Sequence, residues 1–377
     1  MIKIQNQLTF QFSIGDVQDF IDPTNLEYFA LYEEAGGLRP IIKLSFRLDN
    51  AKIASYLNEG SILTVNFGID ELTKSVMQFE LYDSQDDRNF NLGYTVNISG
   101  AFYLPKFTSI NKGKCYLNKS SIEVLREIAT THKLTLRTNI TNTNDRQDWY
   151  QEGVSDWQFL TEVWLHSYIN DKTFMVFGLD SDNIYFYDMR ELVRTGSKWL
   201  FTNKWIAEQE SNLVSIGSCS IKNNYGILND LIGRNLVSKT YNIDTGKITD
   251  YSYALKNFTI IDSDKINMNS TNCLRYNYKV ISDDVHPNYI KAYNQNFSNN
   301  LMYSAFNIYV ITALQMKRLR LLEPVEFALY PDDERLQGLS FITGIAYEYK
   351  NANLNINITL NKEAPSGIKS TGLDEGA

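Results

Sequence analysis

The chain has 377 residues, enough for two or three domains with substantial hydrophobic cores, and its 43% hydrophobic content is ordinary for a soluble globular protein. The net charge is −8, from 44 acidic and 36 basic residues without a long basic block, which disfavours direct binding of nucleic acid. The sequence contains no signal peptide, no apolar run of about 20 residues and no CxxC pair, which predicts a protein made in a reducing cytoplasm without membrane insertion.

The first part of the chain, residues 1–112, alternates apolar and polar side chains with the period of a β-strand. Such alternation buries one face of a sheet and leaves the other in water, so it predicts a first antiparallel, barrel-like tube domain. A short helix is predicted at residues 25–35, because Thr24 and Glu27 have capping-box spacing and Gly36 is placed to end it. The alternating apolar positions are Leu8, Phe10, Phe12 and Ile14, then Ile42, Leu44, Phe46 and Leu48, then Leu63, Val65 and Phe67, then Met77, Phe79 and Leu81, and then Tyr94, Val96 and Ile98.

Helical spacing then replaces this alternation. Ser120 with Glu123, and Ser155 with Gln158, have the spacing of capping boxes, and each pair is followed by apolar residues on one helical face. The order helix, strand, helix, strand, strand predicts a small α+β module over residues 113–200. The strands predicted in this module are residues 134–137, 174–177 and 184–187.

Residues 201–365 return to strands and predict a second barrel-like tube domain. Strands 239–243 and 248–253 are predicted to flank a hairpin turn at residues 244–246. Segment 225–300 as a whole is rich in Asn, Tyr, Asp and Ser, which indicates an insertion or a long-looped region. The last residues, 366–377, are rich in Gly and Ser and predict a flexible tail. The fold class is therefore α+β, mainly β, with two antiparallel barrel-like tube domains and an intervening small α+β module.

Three short motifs in this order resemble a known family. The sequence SSIEVLREIA, residues 120–129, is similar to the helix that opens the middle domain of the phage late-control D proteins. The sequence SDWQFL, residues 155–160, is similar to their second helix, and GLSFITGI, residues 338–345, is similar to their closing strand pair. The pattern also resembles the T-even baseplate hub and the hub portion of type VI secretion spike proteins, and in element order it covers about residues 1–365.

The resemblance implies a structural role without covalent chemistry, and therefore no enzyme. Two similar barrels per chain in a homotrimer would give six similar positions around a pore, so the ring would adapt a six-fold tail tube to a three-fold central spike. The implied location is the tail baseplate of a virion, or a related contractile injection system, assembled in the host cytoplasm. The implied partners are further copies of the chain, the tail tube protein, the central spike protein, baseplate wedge proteins and the tape measure protein, while DNA passes through the pore without specific binding.

Three polar residues are the candidate interface positions: Asn355, Asn357 and Thr359. They alternate with the apolar residues of the last strand, so they are expected on the face that points away from the core. In a ring of sheets, that face would be available to a neighbouring subunit.

No catalytic, cofactor-binding or metal-binding residue is assigned. The sequence has no HExxH, no paired Cys and no close pair among His132, His166 and His286, so it carries no zinc signature. It also lacks a GxSxG elbow and a Walker A loop. Acidic neighbours such as Asp332 and Asp333 lie in turn-like segments, whereas a glycosidase needs two facing carboxylates about 5–10 Å apart.

Two other functions remain compatible with a β-rich chain of this kind. A trimeric receptor- or carbohydrate-binding tail protein would have aromatic-lined clefts and would not need two similar barrels. A cell-wall hydrolase domain would need a cleft with converging carboxylates. The aromatic residues Trp157, Phe159 and Trp164 lie at helical spacing, which favours a place in a core or interface over a sugar-binding platform.

Overall fold

The computed structural model describes residues 9–48, 51–68, 75–89, 93–110, 113–197, 199–203, 213–223, 235–254, 274–303, 306–312, 319–328, 337–350 and 353–362. The predicted flexible tail, 366–377, lies outside the described residues, as do Leu8, Asp332 and Asp333. Within the described ranges the protein is mainly β, with several antiparallel sheets and a few helices, which confirms the predicted class, α+β and mainly β. No closed barrel forms among the described strands.

The first strand group contains six antiparallel strands, and five of them lie at the positions where the alternation predicts them; the exception is the second. The strands are β1 (Thr9–Ile14), β2 (Leu26–Glu34), β3 (Ile41–Leu48), β4 (Ile62–Gly68), β5 (Ser75–Asn89) and β6 (Gly93–Phe102), and a single-turn helix, α1 (Ala51–Ala54), lies between β3 and β4. Their order in the sheet is β1-β4-β5-β6-β3-β2. The described apolar members of the alternating pairs are buried, as for Phe12, Phe46 and Phe79, except Tyr94, which is half-buried.

The two ends of this group curl toward each other. The ring of Phe10 on β1 lies 4.8 Å from the ring of Phe29 on β2, measured between centroids, and 5.2 Å from that of Tyr349 near the end of the chain. Among the described strands, β1 pairs only with β4, so backbone hydrogen bonds do not close the ring. The group is therefore a rolled, open sheet whose interior is filled by side chains, as small barrels require.

The predicted helix at residues 25–35 is wrong, because this segment forms β2 after a 3₁₀ turn at Pro23–Asn25. Thr24 makes no capping box with Glu27; its hydroxyl donates to Asp22 Oδ1 at 2.6 Å. Strand β2 pairs with β3 along one edge and with a strand from the end of the chain along the other. Two flanking partners satisfy the backbone of β2, and this tertiary pairing outweighs the local helix signal.

The middle of the chain forms a small α+β module whose helices begin where predicted. Helix α2 (Ser121–Thr131) starts with the Ser120 N–H donating to Glu123 Oε2 at 2.7 Å. Helix α3 (Asp156–Leu165) has a reciprocal capping box, in which the Ser155 N–H donates to Gln158 Oε1 and the Gln158 N–H donates to Ser155 Oγ. The other elements are β7 (Lys114–Lys119), β8 (Thr135–Thr138), β9 (Gln147–Gln151), β10 (Met175–Leu179), β11 (Asn183–Asp188) and the short helix α4 (Met189–Arg194).

The module has two small sheets, one of order β10-β11-β8 and one that pairs β7 with β9. Trp157, Phe159 and Trp164 are all buried in its core, which confirms the core interpretation of this aromatic group. After the module come three short strands, β12 (Trp199–Thr202), β13 (Leu213–Ser215) and β14 (Ser218–Asn223).

Segment 225–300 contains regular structure, so its interpretation as a long-looped region is wrong for the residues described. A three-stranded sheet is followed by a helix, here called the insertion: β15 (Asn235–Asn242), β16 (Ile248–Ala254), β17 (Leu274–Ile281) and α5 (Tyr289–Tyr303). The predicted hairpin around residues 244–246 is confirmed, since β15 and β16 are antiparallel and Gly246 takes a positive φ of 64° in the turn.

The last strand group continues the sheet of the first group. It adds β18 (Phe306–Thr312), β19 (Pro324–Ala328), β20 (Gln337–Lys350) and β21 (Asn353–Lys362) to β12, β13 and β14. Strand β20 pairs with β2 from Tyr28 opposite Lys350 to Glu34 opposite Gly344, which joins both groups in one thirteen-stranded sheet. The predicted module boundary at residue 200 falls inside β12, which belongs to this sheet.

Candidate interaction surfaces

The predicted interface residues lie on a strand that is paired on both sides. Strand β21 lies between β18 and β20, and its Ile356, Ile358 and Leu360 side chains are buried. Asn355 is exposed near one end of the strand, whereas Asn357 and Thr359 are half-buried. The three residues therefore share the expected face, and their part in an interface remains a prediction.

Close packing explains why Thr359 is half-covered. A Cβ atom added to Gly344 of β20 would lie 3.2 Å from Thr359 Oγ1 and 3.4 Å from Glu34 Cγ of β2. The strands therefore approach closely at this glycine, and the Thr359 side chain fills the space above it. Of the three candidates, Asn355 is the one whose side chain is open to solvent.

The insertion presents an exposed apolar face that was not predicted from the sequence. Five large apolar side chains lie there with 46–72% of their surface exposed: Tyr241, Ile243, Ile248, Tyr278 and Val280. The strand register places Ile248, Tyr241 and Val280 side by side across the three strands. The period-two spacing of Tyr278 and Val280 is a signal for one shared face, but sequence alone does not show that this face stays uncovered.

The opposite face of the same sheet is packed against α5 and the module. Ser238 and Thr240 are buried, and Ser238 Oγ donates to Asn294 Oδ1 of α5 at 2.5 Å. Lys279 points the same way, with its ammonium 3.4 Å from Glu162 Oε1 of α3 and 4.7 Å from the centroid of the Tyr293 ring. Among the described residues, the contacts that attach the insertion sheet to α5 and the module therefore come from this face.

Consecutive amides on α5 attach the insertion to the module. The Asn296 side-chain amide donates to the carbonyl oxygens of Trp164, Leu165 and Ser167 at 2.8–3.2 Å, at the C-terminal end of α3. The Gln295 amide donates to the Thr173 carbonyl at 2.6 Å. Carbonyls at a helix end lack partners within the helix, so Asn296 acts as an external cap.

Two histidines are buried at the same junction. His166 is stacked on the Tyr289 ring at 3.5 Å, and its ring nitrogens lie 3.0 Å from Glu162 Oε1 and 3.0 Å from the Tyr289 carbonyl oxygen. His286 Nε2 donates to the His166 carbonyl at 2.9 Å. His286 Nδ1 is buried without a hydrogen-bond partner. These histidines look unrelated in the sequence, and the fold brings them together across 120 residues.

His132 lies elsewhere, where its ring packs on Phe107 and hydrogen-bonds the Asp156 carboxylate at the start of α3. His132 is the residue at which α2 ends, so this contact ties the end of α2 to the beginning of α3.

A second, smaller apolar area lies on the outer face of the β7–β9 pair. Leu117 and Tyr150 are exposed there, while Tyr116 and Trp149 face the core. Cys115, opposite Tyr150 in the register, is also exposed. Although Cys115 is exposed, partial desolvation of its thiol raises the pKa, and the negative charge of Asp148 raises the pKa further, so this thiol is not activated as a nucleophile.

A cleft of about 520 Å³ opens on the first strand group, lined in part by Phe10, Phe20, Asp19, Asp22 and Arg47. A hydrolase site would need one of its carboxyl groups shielded and its pKa raised. The pKa of Asp22 is instead lowered, by hydrogen bonds from the Thr24 side chain and backbone. Arg47 is paired with Glu27 at 2.6 Å. The cleft therefore does not have the electrostatics of a glycosidase.

No group of three or more His, Cys, Asp or Glu side chains is placed to hold a metal ion within the described ranges. Among these same residues, no helix has both the length and the apolar character needed to span a bilayer.

Comparison with solved structures identifies the fold. The tail protein from Neisseria meningitidis MC58 matches with a TM-score of 0.57 and 10% identity, over 96% of this chain and 98% of that chain. The 43 kDa tail protein of prophage MuSo2 from Shewanella oneidensis matches with a TM-score of 0.54 and 9% identity, over 94% and 96%. This chain has the fold of phage tail proteins.

A third match extends the tail-protein fold to secretion systems. The Escherichia coli protein c3393, described as a type VI secretion component with structural similarity to the T4 bacteriophage tail proteins gp27 and gp5, has a TM-score of 0.52 and 10% identity, over 93% of this chain and 76% of that chain. No family model matches the sequence, and a search of curated proteins gave no match. The family resemblance of the short motifs is thus confirmed for the fold.

In this tail-protein fold, the docking of the insertion is expected to weaken in mild acid. Burial lowers the pKa of His286 below its usual value, although the backbone hydrogen bond from its ring to His166 and the charge of Asp145 act in the opposite direction. The folded state therefore binds fewer protons than the unfolded state, so stability is full above about pH 6.5 and falls as the pH drops below it. Protonation would place a charged N–H at Nδ1, which has no acceptor.

His286→Gln tests this, because glutamine can still donate to the His166 carbonyl but does not titrate. Urea unfolding at about pH 7 and about pH 5 should show lower wild-type stability at pH 5, by at most about 2 kcal/mol, the limit for one histidine with an unfolded-state pKa of about 6.5. The His286→Gln variant should lose clearly less stability than the wild type between these two pH values. His166 is also buried with a lowered pKa, but Glu162 beside it can pair with the cation and soften the penalty. Equal losses in both proteins would contradict the assignment to His286.

Proposed function

We propose that this chain is the structural hub of a phage tail baseplate, or of a related contractile injection system. In this role it is a homotrimer with a pseudo-six-fold ring that adapts the six-fold tail tube to a three-fold central spike, and it is not an enzyme. The observation that carries the proposal is the architecture of the large sheet. Each chain contributes two strand groups fused at the β2–β20 pairing, so three copies supply six groups around one axis.

The open edges of the large sheet support a ring assembly. Among the described strands, β1 has β4 as its strand partner, β13 has β12, and β14 has β18, so these three strands lie at edges of the described sheet. Edge strands promote uncontrolled pairing with other strands unless they are covered. Cyclic assembly would cover them with strands or loops of the neighbouring copies.

The proposed partners are those of a hub: further copies of the chain, the tail tube protein, the central spike protein, baseplate wedge proteins and the tape measure protein. The proposed location is the virion tail, assembled in the host cytoplasm. DNA would pass through the pore without specific binding, in keeping with a net charge of −8 and no long basic block. Asn355 is the proposed interface residue with the greatest exposure of the three candidates.

The assembly state gives the direct test. Light scattering on the purified protein, alone and mixed with its cognate spike, should give a mass three times that of the 43.4 kDa chain in at least the mixture. Negative-stain averages of the same peak should show a ring with a central hole and a near-six-fold outline. A chain that stays monomeric under both conditions would contradict the proposal. Glycan binding or lytic activity by such a monomer would favour the receptor-binding or hydrolase alternatives.

A further inference from the structure

The apolar face of the insertion sheet is unusual within this chain. Five of the twelve exposed large apolar side chains among the described residues lie on this one three-stranded unit, namely Tyr241, Ile243, Ile248, Tyr278 and Val280. The largest contiguous apolar patch on a soluble protein covers a few hundred Å² and is often a binding site. A binding partner that covers this face is therefore expected.

The charges of the face exclude two classes of occupant. Its described charged side chains are Lys239 and Asp250, which face each other across β15 and β16 with 3.6 Å between Nζ and Oδ2. Their charges cancel, so the face is apolar and neutral. Nucleic acid and anionic lipid surfaces are bound through clusters of Lys and Arg, and the described side chains of this face include no such cluster. A protein surface with an apolar stripe fits it.

The dimensions of the face select an α-helix. Neighbouring strands lie about 4.8 Å apart, so the outer strands of a three-stranded sheet are separated by about 10 Å, which matches the diameter of one helix with its side chains. The inner face of this sheet already shows the arrangement, since α5 packs across it and Ser238 bonds to Asn294. A second helix on the outer face would complete a helix–sheet–helix sandwich.

The surroundings of the face indicate the polarity of that helix. Three exposed acidic residues lie next to Ile243 at one end of the sheet: Asp244, Asp283 and Asp284. The basic residue at this end is Lys247. The Asn242 side chain and the Asp283 carboxylate are joined at 2.8 Å, so these acids belong to the ordered end of the sheet. An acidic rim beside an apolar face favours a partner with basic residues at the corresponding end.

Area and symmetry distinguish a second copy of the chain from a different protein. Five side chains provide a few hundred Å², whereas a free-standing complex buries about 800 Å² on each partner. The contact therefore belongs to an assembly that is held together elsewhere as well. Face-to-face contact between two copies would create a two-fold axis, which a three-fold hub does not have.

We infer that the Tyr241–Tyr278–Val280 face binds an amphipathic helix of a different subunit of the tail, with an uncharged apolar stripe and basic residues toward the Asp283 end. This inference rests on the proposed hub function, because that function supplies the assembly in which the second subunit is held. The insertion then projects a one-helix docking platform from the module, to which α5 and the buried histidines attach it.

Photo-crosslinking in assembled particles tests the inference. A benzophenone amino acid replaces Tyr278 in one variant, and Tyr56, which is 54% exposed on the first strand group, in the matched control. The expected result at Tyr278 is a cross-link to one other protein, mapped by mass spectrometry to an amphipathic helix. Adding Val280→Asp should reduce the cross-link at least tenfold, while Leu117→Asp, at a comparably exposed position, should leave it unchanged.

The outcomes separate this inference from the hub proposal. A cross-link at Tyr278 to another copy of the chain or within the same molecule overturns the inference, and so does a yield no higher than at Tyr56. Each of these results counts only when the particles contain the chain and the same variant has been shown to have the mass of a trimer. Absence of the chain from the particles, or loss of the trimer in the unsubstituted protein, instead overturns the hub proposal.

Discussion

Replacing Asp145 with alanine is expected to lower the free energy of unfolding by about 3–5 kcal/mol, the range for removing one partner from a buried, hydrogen-bonded charge network. The Asp145 side chain is fully buried and accepts four hydrogen bonds. Ser121 donates through its N–H at 2.9 Å and its hydroxyl at 2.5 Å, Thr143 donates through its hydroxyl at 2.6 Å, and Tyr168 donates through its N–H at 2.9 Å.

The large effect follows from what the substitution leaves behind. The N–H groups of Ser121 and Tyr168 would remain buried with no acceptor, and an orphaned buried donor costs more than the net value of the bond it made. Ser121 is the first residue of α2, so the start of that helix also loses the negative charge that complements its dipole.

Chemical denaturation of Asp145→Ala and Asp145→Asn, with Asp16→Ala as an exposed aspartate control, measures this. Asparagine keeps one acceptor oxygen but turns an NH₂ group toward remaining donors, so an intermediate loss is expected. The control should change stability by less than about 0.5 kcal/mol. A loss below about 1 kcal/mol in Asp145→Ala would mean that water or a rearranged loop satisfies the donors.

Local patterns predicted the elements whose stabilising contacts are local. Alternation located β1, β3 and β4 because each buries one face in the same sheet, and capping-box spacing located α2 and α3 because the caps are made within four residues. Both signals depend on residues that are close in sequence, so they predict the element correctly whatever the tertiary fold of the rest of the chain.

Elements whose stability comes from distant residues were misread. The segment that forms β2 has helix-like spacing, but its backbone pairs with β20 more than 300 residues away in sequence. Helix α5 contains Asn294, Gln295 and Asn296 in succession, and asparagine is a poor helix former. These amides bond the Trp164 and Thr173 carbonyls and the Ser238 hydroxyl, so the contacts that favour this helix lie outside it.

The candidate surfaces divide in the same way. The polar face of β21 could be predicted from alternation, and Asn355, Asn357 and Thr359 do share one face. The apolar face of the insertion could not be predicted in this way, because it requires β17 to lie parallel to β15, a pairing that no local pattern specifies. Parallel pairing connects strands through long crossovers, and the identity of the partner is fixed only when the chain folds.

Replacing Trp164 with alanine is expected to separate the unfolding of the module from that of the large sheet, in addition to costing about 3–5 kcal/mol. Trp164 is almost fully buried, stacks on Phe177 with ring centroids 5.8 Å apart, and donates its indole N–H to the Met175 carbonyl at 3.2 Å. It also lies under the segment that leaves β2, since a Cβ added to Gly37 would be 3.5 Å from Trp164 Cζ3.

This position makes Trp164 part of the connection between module and sheet. Directly beside it, the Gly36 N–H donates to the Phe177 carbonyl at 2.7 Å, and Ala35 forms an isolated antiparallel bridge with Gly178 of β10. A cavity under these two contacts would weaken them together, because close-packed side chains hold the strands at the bonding distance. Trp164→Phe should keep most of the packing and leave the Met175 carbonyl unpaired, at a cost of about 1–3 kcal/mol.

The measurement is urea unfolding followed by far-ultraviolet circular dichroism and by tryptophan fluorescence. Wild type and Trp164→Phe are expected to give coincident transitions, and Trp164→Ala two separate ones, with the helical module unfolding first. A single coincident transition in Trp164→Ala would show that α5 and the amides of Gln295 and Asn296 hold the module without this contact. If the chain is the hub proposed above, separate transitions would identify the Trp164 contact as the mechanical link between the large sheet and the module.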